Sequence, residues 1–91
     1  MSEVRNDIDR SSYVLEQDGH TAYAAYELDG DTITFTHTVV PDAFRGMGIG
    51  SRLVQAALED VRARGLKVVP QCPFVAAYIE RHPEWRDLLA G

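Results

Sequence analysis

Apolar and polar residues alternate with a period of two over most of the first forty positions, a pattern typical of β-strands. Two Asp-Gly pairs, Asp18-Gly19 and Asp29-Gly30, interrupt the alternation and favour tight hairpin turns. The pattern predicts an antiparallel meander whose three strands cover residues 12–17, 20–28 and 32–40. A weaker edge strand over residues 5–8 could extend it.

The third strand has the clearest alternation. Its apolar face, which we expect to be buried, holds Ile33, Phe35, His37 and Val39. Its other face holds Thr32, Thr34, Thr36 and Thr38. A histidine is unusual on an apolar face, and this placement singles out His37.

The apolar positions change to helical spacing after residue 49. One stripe holds Leu53, Val54, Ala57, Leu58 and Val61. A short strand over residues 66–69, a second helix over 74–81 and a last helical turn over 84–89 follow. The element order β-β-β-α-β-α predicts an α+β fold, in which an N-terminal antiparallel meander is followed by strand–helix–strand–helix. We expect residues 1–91 to form one domain with helices packed on a mixed sheet.

Charge and hydropathy exclude several classes of protein. The net charge of −5 argues against a nucleic-acid partner, and no apolar run reaches the roughly 18 residues of a membrane span. We therefore expect a cytoplasmic protein, monomeric or weakly dimeric. Residues 1–42 hold nine acidic and two basic residues, whereas residues 43–91 hold seven basic and five acidic ones. This asymmetry favours an anion site in the second half, although ordinary surface charge would also produce it.

Glycines at positions 46, 48 and 50 mark the start of the first helix. Without Cβ atoms, their backbone N–H groups at the positive end of the helix dipole could hold phosphate oxygens. The Gly-Lys-Ser/Thr of a P-loop is absent, and Leu53 stands where a dinucleotide-binding fingerprint has its third glycine. A tight turn that needs glycine for its geometry alone is the alternative.

Arg45-x-x-Gly48-x-Gly50 resembles the acetyl-CoA pyrophosphate motif of the GNAT N-acetyltransferases. The longer run from His37-Thr38 through Cys72-Pro73-Phe74-Val75 to His82-Pro83-Glu84-Trp85 is similar to a small, minimal branch of that superfamily. The resemblance covers roughly residues 10–89. The helical pair that usually walls the acceptor site has no counterpart in residues 1–42, so we expect an acceptor pocket that is open or closed by a partner.

The resemblance implies acetyl-CoA as cosubstrate. The third strand would splay from the strand over 66–69, and the pantetheine arm would pair with the backbone of Thr38, Val39 and Val40. The pyrophosphate would bind the amides of Arg45, Gly46, Met47, Gly48, Ile49, Gly50 and Ser51. We expect no metal, because one cysteine and three scattered histidines offer no compact ligand set.

The candidate catalytic residues are His37 and Cys72. His37 could be a neutral general base or a satisfied core histidine. Cys72, the only thiol, could be a nucleophile at a helix N-terminus or a small buried hydrophobe. Together they could form a Cys–His pair. Tyr78 is the alternative acid that the resemblance implies, but it lies about 240° around the helix from Cys72, which favours core packing with Phe74.

The resulting hypothesis is an acetyl-CoA-dependent acetyltransferase whose acceptor is an amine or thiol. The acceptor is not identified, and a protein or another macromolecule could carry it. Direct transfer with His37 as base and a two-step route through acetyl-Cys72 both stay open. The alternatives are a non-catalytic CoA-binding or protein-interaction module and a redox-sensing thiol.

Overall fold

The computed structural model describes residues 4–90. The strands are β1 (Val4–Asp7), β2 (Ser12–Gln17), β3 (His20–Asp29), β4 (Thr32–Val39) and β5 (Lys67–Pro70). The helices are α1 (Ile49–Ala63) and α2 (Pro73–Arg81). Short 3₁₀ turns cover Ile8–Arg10, Asp42–Phe44 and Pro83–Leu88. The predicted α+β fold is confirmed, the edge strand included, and the last helical segment is 3₁₀.

The five strands form one sheet in the order β1-β2-β3-β4-β5. Neighbours are antiparallel except β4 and β5, which are parallel and joined through α1. Gln17 pairs with His20, so Asp18 and Gly19 form a two-residue hairpin turn, and both have positive φ. This conformation explains the Asp-Gly pair, because aspartate and glycine tolerate the left-handed region best.

Both helices pack on one face of the sheet, which we call the helix face. Its strand residues are Tyr13, Leu15, Ala22, Ala24, Tyr26, Ile33, Phe35 and Val68, and they form one buried cluster with the apolar stripes of α1 and α2. The opposite face carries Val14, Tyr23, Ala25 and His37, and we call it the open face. Val14 is buried there but lies outside the main cluster.

A β-bulge in β4 interrupts its alternation. Tyr26 pairs with Phe35 and Ala25 pairs with His37, so Thr36 is an extra residue on β4. A bulge moves every later residue to the opposite face. Thr38 therefore lies on the helix face with Phe35, whereas His37 lies on the open face. The prediction that His37 and Val39 share the buried face is wrong: both are exposed.

Strand β4 extends beyond the end of β5. Their pairing ends at Phe35 and Pro70, and the Cys72 amide makes the last link, donating to the Phe35 carbonyl over 2.8 Å. Within the described residues, the part of β4 after Phe35 has no strand partner on its β5 side. The predicted splay stays a prediction, because β5 is paired with β4 along its whole length. The unpaired end of β4 and the start of α2 border the space that we call the gap.

Candidate functional site

The glycine turn between β4 and α1 follows directly after a buried residue, Phe44. Phe44 is 3% exposed and fixes the 3₁₀ turn Asp42–Phe44 against the core. Gly46 (φ 77°) and Gly48 (φ 68°) then take left-handed conformations, and Gly48 is the N-cap residue of α1. A Cβ at either glycine would meet no atom within 4 Å. Both glycines are needed for backbone conformation, and the space beside them is open to a ligand.

Five of the seven backbone amides that we predicted to bind a pyrophosphate are free to donate a hydrogen bond to it. Those of Gly46, Gly48, Ile49, Gly50 and Ser51 make no backbone hydrogen bond within residues 4–90. The other two are used inside the turn: the Arg45 amide donates to Asp42 and the Met47 amide donates to Phe44. These two amides are therefore not free for a ligand in this conformation, and the binding of a pyrophosphate at the turn stays a prediction. The Arg45 guanidinium is 84% exposed and contacts Asp42 only loosely, at 3.6 Å, so it can still turn toward an anion.

At Gly50 the absence of a side chain is required for packing and not for backbone conformation. It lies in the first turn of α1 in helical conformation, and the Phe74 ring of α2 packs directly against it. A Cβ there would approach the Phe74 ring to 2.5 Å. The glycine lets the N-terminal ends of α1 and α2 approach each other, which brings the turn close to Cys72 at the start of α2.

Cys72 occupies the position that the sequence predicts. It is the N-cap residue of α2, with Pro73 at the first helical position, and its side chain is 2% exposed. Its Sγ lies 3.3 Å from Oγ1 of Thr38, and either atom can donate the hydrogen. The bulge in β4 is what turns Thr38 toward the thiol. No feature of the sequence indicated this pair.

His37 does not come together with Cys72. Its imidazole contacts the Tyr23 ring edge-on, with 5.9 Å between centroids, and its Nδ1 lies 3.3 Å from the Thr36 hydroxyl. It borders a cavity of about 410 Å³ on the open face, lined also by Arg10, Ser12, Val14, Thr21, Tyr23 and Ala25. The predicted Cys–His pair is not formed, because the bulge places the two side chains on opposite faces of the sheet.

Tyr78 is part of the core, as the helical spacing predicts. It is 7% exposed and stacks on His82 with 4.1 Å between ring centroids, rather than on Phe74. Burial raises the pKa of its hydroxyl. Tyr78 also forms one wall of a second cavity of about 220 Å³, the interhelical cavity, with Ser51, Phe74, Ala77, Arg81 and His82. Nothing in the sequence pattern indicated this cavity.

Metal sites and membrane spans are both lacking in the part of the chain that the structure describes. No three His, Cys, Asp or Glu side chains of residues 4–90 come together as a metal site would require. No helix of the same residues is long and apolar enough to cross a membrane.

Known proteins share both the sequence and the fold. A family model of GCN5-related N-acetyl-transferases matches residues 12–88. Protein NATD1 of Xenopus tropicalis is 35% identical over 83 residues, which are 88% of this chain and 76% of that protein. Protein NATD1 of Homo sapiens is also 35% identical over 83 residues, with 88% and 74% covered.

A solved structure gives the same result. The solution structure of a GCN5-like protein of Staphylococcus aureus matches with a TM-score of 0.74 at 26% identity, covering 100% of this chain and 92% of that one. The match includes the mixed sheet with its antiparallel meander and the helices packed on it. The resemblance drawn from the glycine motif is confirmed, and the chain belongs to the GCN5-related N-acetyltransferase (GNAT) family.

Proposed function

We propose that this chain binds acetyl-CoA along the gap and transfers the acetyl group to an amine or thiol acceptor. One observation carries the proposal: the unpaired stretch of β4 runs from the thiol of Cys72 to the glycine turn. An acyl-CoA has a thioester at one end, two amides along its arm and a pyrophosphate beyond them. The gap offers a thiol, an open strand edge and free amides in the same order.

The pyrophosphate would bind the five free amides at the start of α1. These donors lie at the positive end of a helix dipole, which favours negative charge. Gly46 and Gly48 present no side chain to the ligand. The Arg45 guanidinium adds an exposed positive charge.

The pantetheine arm would form hydrogen bonds with the part of β4 that extends beyond β5. We propose that the backbone of Thr38, Val39 and Val40 bonds to its amides, which places the thioester beside Thr38. Backbone N–H groups of the same stretch could stabilise the tetrahedral oxyanion.

Cys72 would then act as the acyl acceptor in a two-step route. Its thiolate attacks the thioester carbonyl, the C–S bond to CoA breaks, and CoA leaves as a thiolate that takes up a proton. The acceptor next attacks acetyl-Cys72 and regenerates the thiol. The Thr38 hydroxyl, within 3.3 Å of Sγ, can donate a hydrogen bond to the thiolate.

We propose that His37 keeps the role of general base that the sequence suggested, but acts from the open face and not beside Cys72. It borders the open-face cavity, so it can accept a proton from an acceptor that reaches the gap from that face. This cavity would be the acceptor site, and the absence of a covering helix in residues 4–90 leaves it accessible.

A non-catalytic CoA-binding module is the second candidate, and one observation favours it. Cys72 is 2% exposed, and no imidazole or carboxylate of the described residues is hydrogen-bonded to its Sγ. The thiol is therefore enclosed, and no base hydrogen-bonded to it among the described residues can remove its proton. Binding without turnover would follow.

Two measurements on the same sample test the proposal. Titration with acetyl-CoA, followed by amide NMR, should shift Gly46, Gly48 and Gly50 strongly and leave Gly19 of the distant hairpin unchanged. Chromatography should show release of free CoA by the wild type and not by Cys72→Ala, which should still bind acetyl-CoA. Mass spectrometry should detect the acetyl adduct on Cys72.

The outcomes separate the candidates. An unperturbed glycine turn at saturating acetyl-CoA would refute CoA binding there. Binding with no CoA release by wild type would favour the non-catalytic module. Equal release by Cys72→Ala would eliminate the acetyl-Cys72 route and leave direct transfer.

A further inference from the structure

We infer that the open-face cavity binds a small primary amine that carries its own carboxylate, and that the Arg10 guanidinium holds this carboxylate. The inference rests on the proposed function and deepens it, because it names the chemical class of the acetyl acceptor. The cavity has a volume of about 410 Å³. This volume is near the lower end of the roughly 300–1,000 Å³ of small-molecule sites, so the cavity suits a molecule of amino-acid size.

The charge of the cavity lining is opposite to that of its surroundings. Residues 1–42, which supply the described lining, hold nine acidic and two basic residues. One of the two basic residues, Arg10, lines the cavity, and no acidic side chain of the described residues does. A polyamine would therefore find no carboxylate there. An amine that carries its own negative charge would find a complementary guanidinium.

The Arg10 guanidinium is available for this contact. Its side chain is 82% exposed, and its ion-pair contact within the described residues is to Asp7, with 3.8 Å between Nε and the carboxylate. That distance is too long for a hydrogen bond, and so exposed a pair holds the arginine only weakly. A guanidinium can therefore still bind a carboxylate through two parallel hydrogen bonds. One guanidinium, with no lysine or second arginine in the lining, matches a single negative charge.

A row of paired residues across the sheet sets the distance from the Arg10 end of the cavity to His37. Ser12 pairs with Ala25, and Ala25 pairs with His37. His37 therefore lies two strands away from Ser12, about 10 Å between Cα atoms. The small side chain of Ala25 leaves room between the two ends. An amine and a carboxylate separated by a few methylene groups can reach His37 and Arg10 at the same time.

His37 presents the nitrogen that can take the proton of the amine. The Thr36 hydroxyl donates its one hydrogen to the Ala25 carbonyl over 3.3 Å, so it accepts a hydrogen from Nδ1 of His37, also over 3.3 Å. The lone pair of the neutral ring is then on Nε2, which has no hydrogen-bond partner among the described residues.

The transfer step follows from this arrangement. The amine nitrogen attacks the acetyl carbonyl carbon, a C–N bond forms, and the C–S bond breaks. The sulfur keeps the electron pair of the broken bond, and the proton of the nitrogen passes to Nε2 of His37 and from there to solvent.

Pairs of probes that differ only in the carboxylate test the inference. β-Alanine is compared with propylamine, and ε-aminocaproate with hexylamine, so that both members of a pair have the same number of carbon atoms. In amide NMR titrations at low ionic strength, the better-fitting amino acid should shift Ala25 and His37 at about tenfold lower concentration than its alkylamine does. This is the size expected for one exposed charge-assisted contact.

Two variants show whether Arg10 causes the preference. Arg10→Gln should bind both members of a pair with the weaker affinity. The matched control, Arg86→Gln, removes the same charge from an exposed arginine that does not line the cavity and should keep the tenfold preference.

Release of CoA at saturating acetyl-CoA connects the cavity to the reaction. At equal, subsaturating concentrations, the preferred amino acid should increase CoA release by the wild type about tenfold more than its alkylamine does, in proportion to the expected difference in affinity. Mass spectrometry should find the amino acid acetylated on its nitrogen.

The two levels of the proposal fail in different ways. If the wild type bound both members of each pair equally, or bound neither, the carboxylate contact would be overturned and the proposed acetyl transfer would stand. A preference that survives Arg10→Gln would also overturn it. So would tighter binding of phosphoethanolamine than of β-alanine, because the class would then be an aminoalkyl phosphate. Preferred binding of the amino acid without any CoA release would support the carboxylate site and refute the proposed transfer.

Discussion

A comparison of Gly48→Val with Gly30→Val separates two reasons for a glycine at position 48. One is the left-handed backbone conformation of the turn, and the other is the space that a bound ligand needs. Gly48 has φ 68° and Gly30, in the hairpin between β3 and β4, has φ 61°. A Cβ at either position meets nothing within 4 Å. Valine should therefore cause backbone strain and no clash at both sites, at a cost of about 1–2 kcal/mol each.

The two variants should lose similar stability and differ in binding. A loss of that size lowers the Tm of a domain of this length by about 5–15 °C. Only Gly48→Val should lose acetyl-CoA binding, by more than about tenfold, because its methyl groups enter the space beside the free amides and its strain displaces the N–H groups. Gly30→Val keeps the turn intact and should bind as the wild type does.

Thermal unfolding followed by circular dichroism measures the first effect. Calorimetric titration with acetyl-CoA, at a temperature where both variants are folded, measures the second. The reasoning would be refuted by a Gly48→Val protein that binds normally, or by a Gly30→Val protein that loses binding to the same extent.

Three further outcomes follow from the structure. Tyr78→Phe keeps the buried ring and should retain most CoA release, so a dead variant in a folded protein would instead identify Tyr78 as the acid. EDTA should change neither the Tm nor CoA affinity, since the described residues offer no metal site, and a loss of either would contradict this. Tyr13→Phe removes the 2.6 Å hydrogen bond to Asp60 and should cost about 1–2 kcal/mol of unfolding free energy. Burial and Asp60 raise the pKa of Tyr13, so wild-type stability should fall as pH rises above about 10, and denaturant titrations should show a shallower fall for Tyr13→Phe.

The strands and α1 could be predicted because local patterns decide them. Asp18-Gly19 forms the first hairpin turn as predicted, whereas the second turn is Gly30-Asp31, because Asp29 still pairs with Thr32. The stripe from Leu53 to Val61 is buried as its spacing requires. The glycine turn could be predicted for the same reason, since Gly46 and Gly48 adopt backbone conformations that few other residues tolerate.

The bulge in β4 could not be predicted, because nothing at Thr36 marks it. Threonine is common in regular strands, and residues 32–39 contain no glycine that would indicate an inserted residue. The bulge depends on how β3 and β4 pair, which is a property of two strands. Since side-chain direction has a period of two, one extra residue was enough to reverse the expected positions of His37 and Thr38.

In the proposed reaction, the bulge and the unpaired end of β4 would serve the same site. In a regular strand, His37 would face the helices and Thr38 would face away from Cys72. With Thr36 inserted, a small hydroxyl lies beside the thiol, where an imidazole would have filled the gap, and the imidazole lies on the face that no described helix covers. The thiol and the histidine thus lie on opposite sides of β4. Under the proposed function, an acyl donor on the helix side and an acceptor on the open face would not compete for space, which transfer between two substrates requires.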